Sequence, residues 1–126
     1  MNHAIKTKTA PAAIGPYSQG VVAGNLIYTS GQLPINPADG TIPATISEQA
    51  EQSLKNVKAV LEAAGATMED VVKATVFVRD MSSFARVNDI YSSYFTGEVL
   101  PARSCVEVSD LPKGVLIEIE VIAMKH

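Results

Sequence analysis

The sequence is poor in the residues that cross-link a protein or charge it strongly. Its one cysteine, Cys105, can form no disulfide within the chain, and a single thiol is typical of a reducing compartment. Charged residues make up only 18% of the 126 residues, which is low for a small domain. A small protein with few charges can bury part of its surface against further copies of itself, so this composition hints at a homo-oligomer.

Features that would indicate nucleic-acid, membrane or metal partners are also missing. There is no run of lysines or arginines, and the net charge is −3, which disfavours nucleic acid as a ligand. No apolar stretch reaches the length of about eighteen residues that spans a membrane, and no secretory signal follows Met1. His3 and His126 belong to no motif that would predict a metal site. We therefore expect a soluble, cytoplasmic protein that needs no metal.

The residues that are present predict one α+β domain over residues 1–126. Hydrophobic residues make up 47% of the chain, which is enough for a packed core. Apolar or alternating runs between turn signals predict the strands. The predicted strands cover residues 3–8, 17–22, 26–30, 71–79, 103–108 and 116–124.

Two helices are predicted between these strands. Thr45 begins a capping box, behind which apolar residues recur at helical spacing up to Gly65. The second helix would begin behind Ser82 or Ser83 and stop at Gly97. Because two helices cannot cover both sides of the sheet, we expect both of them on one face.

The predicted strand over residues 103–108 carries an unusual pattern. Alternation places Arg103, Cys105 and Glu107 on one side of it. Such a pattern is more often a solvated edge strand, or an ion pair with a neighbouring strand. Arginine is, however, the side chain best shaped to bind a carboxylate through two parallel hydrogen bonds. The pattern therefore raises the hypothesis of a small organic acid bound on this side.

The same side of the neighbouring strands would complete a mixed face of the sheet. That face is too apolar to stay hydrated, so we expect other subunits to cover it, with ligand pockets at the joints between subunits. The residues assigned to it are Thr75, Phe77, Arg103, Cys105, Glu107, Glu118 and Glu120.

Several motifs, in order along the chain from Ala10 to Met124, resemble the reactive-intermediate deaminase family (RidA, also called YjgF-like). They are residues 13–20 (AIGPYSQG), 29–32 (TSGQ), 101–108 (PARSCVEV), and 111–113 (LPK) followed by 117–120 (IEIE). The resemblance implies a fold like that of Bacillus chorismate mutase, a mixed sheet with both helices on one face. It also implies a homotrimer with a central barrel-like core and clefts between subunits.

The resemblance further implies the order of the strands. Read from the residues alone, the last two strands would pair as a hairpin. In the family, the last strand is antiparallel and inserted between the first and second core strands, so that one strand separates the last two. We expect the family order here.

The activity that the resemblance implies is hydrolysis of 2-iminobutanoate and 2-iminopropanoate to 2-oxo acids and ammonia. Pyridoxal-phosphate dehydratases release these compounds from threonine or serine, and the hydrolysis needs no cofactor or metal. Arg103 would bind the substrate carboxylate, Glu118 would hold and deprotonate a water, and main-chain groups near Cys105 would bind the imine nitrogen. On a shared face, Arg103 and Glu118 would lie about 5–10 Å apart. The other substrate-binding residues carried over from the family are Tyr17, Ser30, Gly31 and Asn88.

Simpler roles are open for several of these residues. Tyr17 could pack only against its own loop, Gly31 could be needed for its backbone conformation, and Asn88 could be a solvated helix residue. Cys105 fits a small buried thiol better than a nucleophile, because no histidine motif accompanies it. The loop over residues 96–100 looks shorter than in enterobacterial members, which would change the rim of the cleft.

Two other functions are open as well. A trimer of the same fold could bind small acids, or act as a chaperone-like protein, without turnover, because fold does not fix function. A ribonuclease that inhibits translation has been attached to some members, although the acidic balance argues against it here. Arg103 and Glu118 in their motifs favour the deaminase.

Overall fold

A computed structural model describes all 126 residues and contains every predicted strand and helix. Their ends differ slightly from the predicted ones, and the first strand stops at Ile5. Three short 3-10 turns occupy Met68–Asp70, Met81–Ser83 and Pro112–Gly114. The regular elements are β1 (His3–Ile5), β2 (Gly20–Ala23), β3 (Leu26–Thr29), α1 (Ile46–Ala63), β4 (Val71–Val78), α2 (Phe84–Tyr94), β5 (Ala102–Glu107) and β6 (Ile117–Met124).

The strands form one six-stranded mixed sheet in the order β1-β2-β3-β6-β4-β5. The last strand, β6, runs antiparallel between β3 and β4, while β4 and β5 are parallel and joined through α2. Parallel neighbours need such a crossover, which α2 supplies. The family order is therefore confirmed, and the hairpin that the residues alone suggested is wrong, because β4 separates β5 from β6.

Helix α1 forms because its sequence supplies a cap and one apolar stripe. The Thr45 hydroxyl accepts a hydrogen bond from the Glu48 N–H at 3.2 Å, which satisfies a free donor of the first turn. Leu54, Val57 and Leu61 on the stripe are completely buried, and each such side chain stabilises the fold by about 1.5–3 kcal/mol. The helix ends before Gly65, whose φ of 80° is left-handed, as predicted.

Helix α2 starts differently from the prediction. The turn Met81–Ser83 precedes it, and the Asp80 carboxylate accepts a hydrogen bond from the Ser82 N–H at 2.9 Å. The side chain of Ser83, at the N-cap position, makes no capping bond. The capping role predicted for Ser82 or Ser83 is therefore wrong, because the carboxylate just before them satisfies the free backbone donor.

Both helices pack on one face of the sheet, which we call the helix face. Val76, Val78, Ile117, Ile119 and Val121 point to this face and are at most 2% exposed. Helix α1 packs on β6, and α2 packs against α1. The prediction of both helices on one face is confirmed. No helix in the structure combines the length and apolarity needed to cross a membrane.

The opposite side of the sheet, which we call the open face, carries no helix. Tyr28 is 44% exposed there and Val106 is 41% exposed. Phe77 pairs with Glu118 and lies on the same face. An apolar surface of this kind on a monomer indicates a contact with another molecule.

The strand register corrects the predicted mixed face. Arg103 pairs with Ala74, and Cys105 pairs with Val76, so both side chains lie on the helix face. Glu107, paired with Val78, lies there as well. The assignment of Arg103, Cys105 and Glu107 to the face of Glu118 and Glu120 is therefore wrong. Because β5 is the edge strand, the helices cover it only in part, and polar side chains are tolerated on its helix side.

Candidate active site

The predicted site residues form two groups on opposite faces of the sheet. The first group surrounds an open cleft of about 510 Å³ that contains Glu118, and we call it the acid cleft. The second group surrounds the guanidinium of Arg103 beside α2, and we call it the arginine site. The acid cleft is lined by Pro11, Ala12, Ile14, Tyr17, Gln19, Ser30, Gly31, Gln32, Leu33, Ile35, Pro112, Lys113 and Glu118.

One wall of the acid cleft is a loop that Gln19 holds in place. The buried Gln19 side chain accepts a hydrogen bond from the Thr7 N–H at 2.7 Å and donates to the carbonyl of Pro11 at 2.8 Å. Further along this loop, the Tyr17 hydroxyl accepts from the Ile14 N–H at 3.3 Å. Tyr17 is nevertheless 53% exposed and lines the cleft. It therefore braces its loop and also presents a ring to the cleft.

Ser30 and Gly31 follow β3 and form the floor of the acid cleft. The Ser30 hydroxyl donates a hydrogen bond to the Ser18 carbonyl at 2.6 Å, which ties the floor to the Tyr17 loop. A Cβ atom at Gly31 would overlap Oε1 of Glu118 and lie 2.6 Å from its Cδ. Gly31 does not have a positive φ. Space for the Glu118 carboxylate, and not backbone conformation, therefore requires glycine at position 31.

The Glu118 carboxylate lies over this glycine in a half-buried position. Burial raises the pKa of Glu118 above its usual range, and the nearby Glu120 raises that pKa further. A carboxylate with a raised pKa is a stronger base than an exposed one. Glu118 is thus suited to accept a proton from a water molecule in the cleft.

The arginine site is built by β5 and α2. Arg103 Nη1 donates to Asn88 Oδ1 at 2.5 Å, and the guanidinium carbon lies 4.7 Å from the ring centre of Tyr91 and 5.2 Å from that of Phe84. Contacts of this geometry between a cation and aromatic rings are attractive. Since a guanidinium has five N–H donors, its other donors can still bind a carboxylate.

Phe84 and Tyr91 are not among the site residues predicted from the sequence. The signal that could have found them is their spacing around Asn88, because residues four and three apart share one side of a helix. All three side chains reach Arg103 in the structure. Asn88 is therefore placed beside the arginine, as the partner that orients it.

Cys105 lies two residues from Arg103 on the same side of β5 and is half-buried. Burial raises the pKa of its thiol, while the positive charge of Arg103 opposes that rise. A thiol with a raised pKa stays protonated near neutral pH and is a poor nucleophile. No three His, Cys, Asp or Glu side chains lie close enough together to bind a metal ion.

The two groups cannot act on one small molecule within a single chain. Arg103 lies on the helix face and Glu118 on the open face of the same sheet. The prediction that these two side chains share a face, about 5–10 Å apart, is therefore wrong. Direct cooperation between them requires a second copy of the chain.

The structure defines an α+β protein with an open cleft that contains a half-buried carboxylate of raised pKa. The family model described as Endoribonuclease L-PSP matches residues 7–125. The chain therefore belongs to the Endoribonuclease L-PSP (RidA/YjgF) family, and the resemblance drawn from the motifs is confirmed.

Individual relatives match over the full length. The chain is 58% identical to the 2-iminobutanoate/2-iminopropanoate deaminase of Escherichia coli K12, covering 100% of both sequences. The crystal structure of the E. coli YjgF gene product superposes with a TM-score of 0.95 at 56% identity, covering 98% of this chain and 99% of that one. The structure of E. coli TdcF with bound serine gives 0.95 at 48% identity, with the same coverage.

Proposed function

We propose that this protein is a 2-imino acid deaminase that hydrolyses 2-iminobutanoate and 2-iminopropanoate to the 2-oxo acids and ammonia. The observation that carries this proposal is the Glu118 carboxylate with its raised pKa, packed over Gly31 in the acid cleft. The full-length similarity to a deaminase of this specificity supports the choice of substrate. Threonine and serine dehydratases would supply these substrates in the cytoplasm.

Arg103 binds the carboxylate of the substrate in this mechanism. Asn88 and the rings of Phe84 and Tyr91 hold its guanidinium, so that little further ordering is needed when the acid binds. A charge-assisted hydrogen bond to a carboxylate contributes about 2–3 kcal/mol in a shielded site. The fixed carboxylate aligns the neighbouring imine carbon for attack.

Glu118 supplies the proton transfers. The protonated imine carbon is electrophilic, and a water held by Glu118 adds to it while the carboxylate takes a proton from the water. Main-chain groups near Cys105 bind the nitrogen. Glu118 returns the proton to the nitrogen of the carbinolamine, and the C–N bond breaks as ammonia leaves. The ionised Glu118 then accepts the hydroxyl proton, which leaves the ketone of the 2-oxo acid.

The complete site lies between copies of the chain. Because Arg103 and Glu118 lie on opposite faces, one subunit contributes the arginine site and its neighbour contributes the acid cleft. The exposed apolar side chains of the open face support packing against other copies, in a homotrimer with a barrel-like core. Tyr17, Ser30 and Gly31 then contact the substrate from the side of Glu118, and Cys105 and Asn88 lie on the side of Arg103.

The activity is tested by generating 2-iminobutanoate in situ from threonine with a dehydratase. We expect 2-oxobutanoate to be released faster in the presence of the protein, and the acceleration to disappear with Arg103→Ala. Arg103→Lys should lose most of it, because an ammonium cannot make the forked contact. Release at the same rate with and without the wild-type protein would contradict the proposal.

The second candidate function is the binding of small acids without turnover by a protein of the same fold. Such a protein would bind 2-oxobutanoate in an Arg103-dependent way but would not accelerate the release of 2-oxobutanoate from the imine.

Ribonuclease activity is the other alternative, since the family model carries that description. The net charge of −3 disfavours it, because RNA binding normally relies on a basic surface. RNA cleavage that survives Arg103→Ala and Glu118→Gln would place it outside this site.

A further inference from the structure

One charged residue of the acid cleft has no part in the mechanism above. Lys113 lies in the turn Pro112–Gly114 and lines the cleft together with Glu118 and Tyr17. It is the only positively charged residue among those lining the cleft, and Glu118 is the only negatively charged one.

The backbone does not explain a lysine at this position. Lys113 has φ 58° and ψ 16°, and it is the only residue other than glycine with a positive φ in the chain. A side chain is disfavoured in this left-handed region, whereas glycine adopts it freely. Glycine would therefore suit position 113 better, and a non-glycine residue kept in such a conformation is a reason to look for function.

Contacts within the chain do not explain it either. Neither of the two ion pairs involves Lys113, and the residue is exposed. The turn is held by backbone hydrogen bonds, from the Gly114 N–H to the Leu111 carbonyl at 3.0 Å and from the Val115 N–H to the Pro112 carbonyl at 3.4 Å. The ammonium group is thus free to interact with a ligand in the cleft.

The acid cleft has an electrostatic difficulty that Lys113 can relieve. A 2-imino acid carries a carboxylate, and it must enter a cleft that contains the Glu118 carboxylate on a protein of net charge −3. Repulsion between like charges in a partly desolvated cleft weakens binding. A lysine in the wall of the same cleft offsets the repulsion, and as a flexible point charge it needs no fixed geometry to do so.

We propose that Lys113 is a substrate-binding residue whose ammonium draws the carboxylate of the 2-imino acid into the acid cleft. This inference rests on the proposed function for the identity of the anion. Arg103 of the neighbouring subunit fixes the carboxylate, and Lys113 raises the affinity of the cleft for any small carboxylate. Its contribution falls with ionic strength, because salt screens an exposed charge.

Three variants separate this role from a structural one. Lys113→Gly removes the charge and relieves the backbone, Lys113→Arg keeps the charge, and Lys58→Gln removes one positive charge from the exposed side of α1, away from the cleft. Lys113→Gly should unfold at the same temperature as the wild type or higher. At low salt its KM should rise about three- to ten-fold with little change in kcat.

The effect should shrink as salt is raised, Lys113→Arg should restore the wild-type KM, and Lys58→Gln should leave KM unchanged. Binding of 2-oxobutanoate, measured by calorimetry, supplies a readout that needs no turnover. An unchanged KM and unchanged 2-oxobutanoate affinity in Lys113→Gly at low salt would overturn the inference. An equal rise of KM in Lys58→Gln would also overturn it, because such a rise would show that only the net charge of the protein matters.

The two proposals fail in different ways. If the wild type binds 2-oxobutanoate through Lys113 but accelerates no hydrolysis, the deaminase proposal fails and the role of Lys113 stands. If hydrolysis is normal in Lys113→Gly at every salt concentration, the role of Lys113 fails and the deaminase stands. If the wild type neither binds 2-oxobutanoate nor accelerates hydrolysis, both are wrong.

Discussion

At the scale of single residues, the site depends on one pair, Gly31 and Glu118. The glycine leaves the space that the carboxylate fills, and the half-buried position raises the pKa of that carboxylate. The sequence offered backbone conformation as the alternative explanation for Gly31, and its φ removes that alternative. The sequence alone does not show which explanation holds, because the side chain that packs over Gly31 belongs to β6, far along the chain.

Gly31→Ala should therefore reduce activity through Glu118. The added Cβ overlaps Oε1, so the carboxylate must move away from its place in the cleft. We expect kcat to fall at least about ten-fold, since misplacing a catalytic group by about 1 Å is costly. Gly97→Ala is the control, because a Cβ there meets its nearest neighbour at an ordinary 3.6 Å. Wild-type turnover by Gly31→Ala would show that the position of Glu118 is unimportant.

Glu118→Gln should abolish most activity, by about 100-fold or more, because amide groups do not take up protons at these pH values. In the wild type, kcat/KM should fall as the pH is lowered through the raised pKa of Glu118, at a higher pH than for an ordinary glutamate. Glu62→Gln, an exposed residue of α1, is the control. A profile that stays flat down to the ordinary glutamate range would contradict this role.

The same raised pKa predicts an effect on stability. The folded protein binds the Glu118 proton more tightly than the unfolded chain does, so the contribution of this group to the free energy of unfolding falls as pH rises from the unfolded pKa through the folded one. Glu118→Gln removes the ionised group. At neutral pH this variant should unfold at an equal or higher temperature than the wild type, and at a pH below both pKa values the difference should vanish. Thermal unfolding at the two pH values checks this.

At the scale of elements, the alternation of side chains along β5 agrees with the prediction. The face of the sheet to which each set of side chains points does not. The pattern shows that Arg103 and Cys105 share a side of their strand. It cannot show which side of the sheet that is, because the register against β4 decides it. Polar residues suggested the side away from the helices, but at an edge strand the helix side is only partly covered. Periodicity is local, and it placed both helices correctly, whereas capping was predicted correctly only for α1.

The hydrogen bond between Arg103 on β5 and Asn88 on α2 predicts that the residue at position 88 controls how well the arginine site binds an anion. Asn88→Asp would place a carboxylate at 2.5 Å from Arg103 Nη1, where the asparagine oxygen now lies. The resulting ion pair would compete with the substrate. Binding of 2-oxobutanoate should weaken at least about ten-fold, while Asn88→Ala, which leaves the guanidinium free, should weaken it less. Calorimetry on both variants checks this, and equal affinities would indicate that Asn88 does not direct Arg103.

At the scale of the whole molecule, the position of the two groups on opposite faces decides how the enzyme must work. The sheet itself separates Arg103 from Glu118, so a single chain contains two incomplete sites. A low content of charge hinted at association, and the exposed apolar residues of the open face agree with it. The opposite placement of the two groups therefore predicts that the active unit is an oligomer in which two subunits contribute to each site.

Mixing the two inactive variants, Arg103→Ala and Glu118→Gln, tests whether Arg103 and Glu118 of different subunits form one site. When the two chains are co-expressed and assemble at random, a site formed by Arg103 of a Glu118→Gln subunit and Glu118 of an Arg103→Ala neighbour is intact. About one quarter of the sites should be of this kind, so the mixed oligomer should recover about one quarter of the wild-type rate. If the mixture stays as inactive as either variant alone, the two residues do not act across subunits, which would contradict a site shared between them.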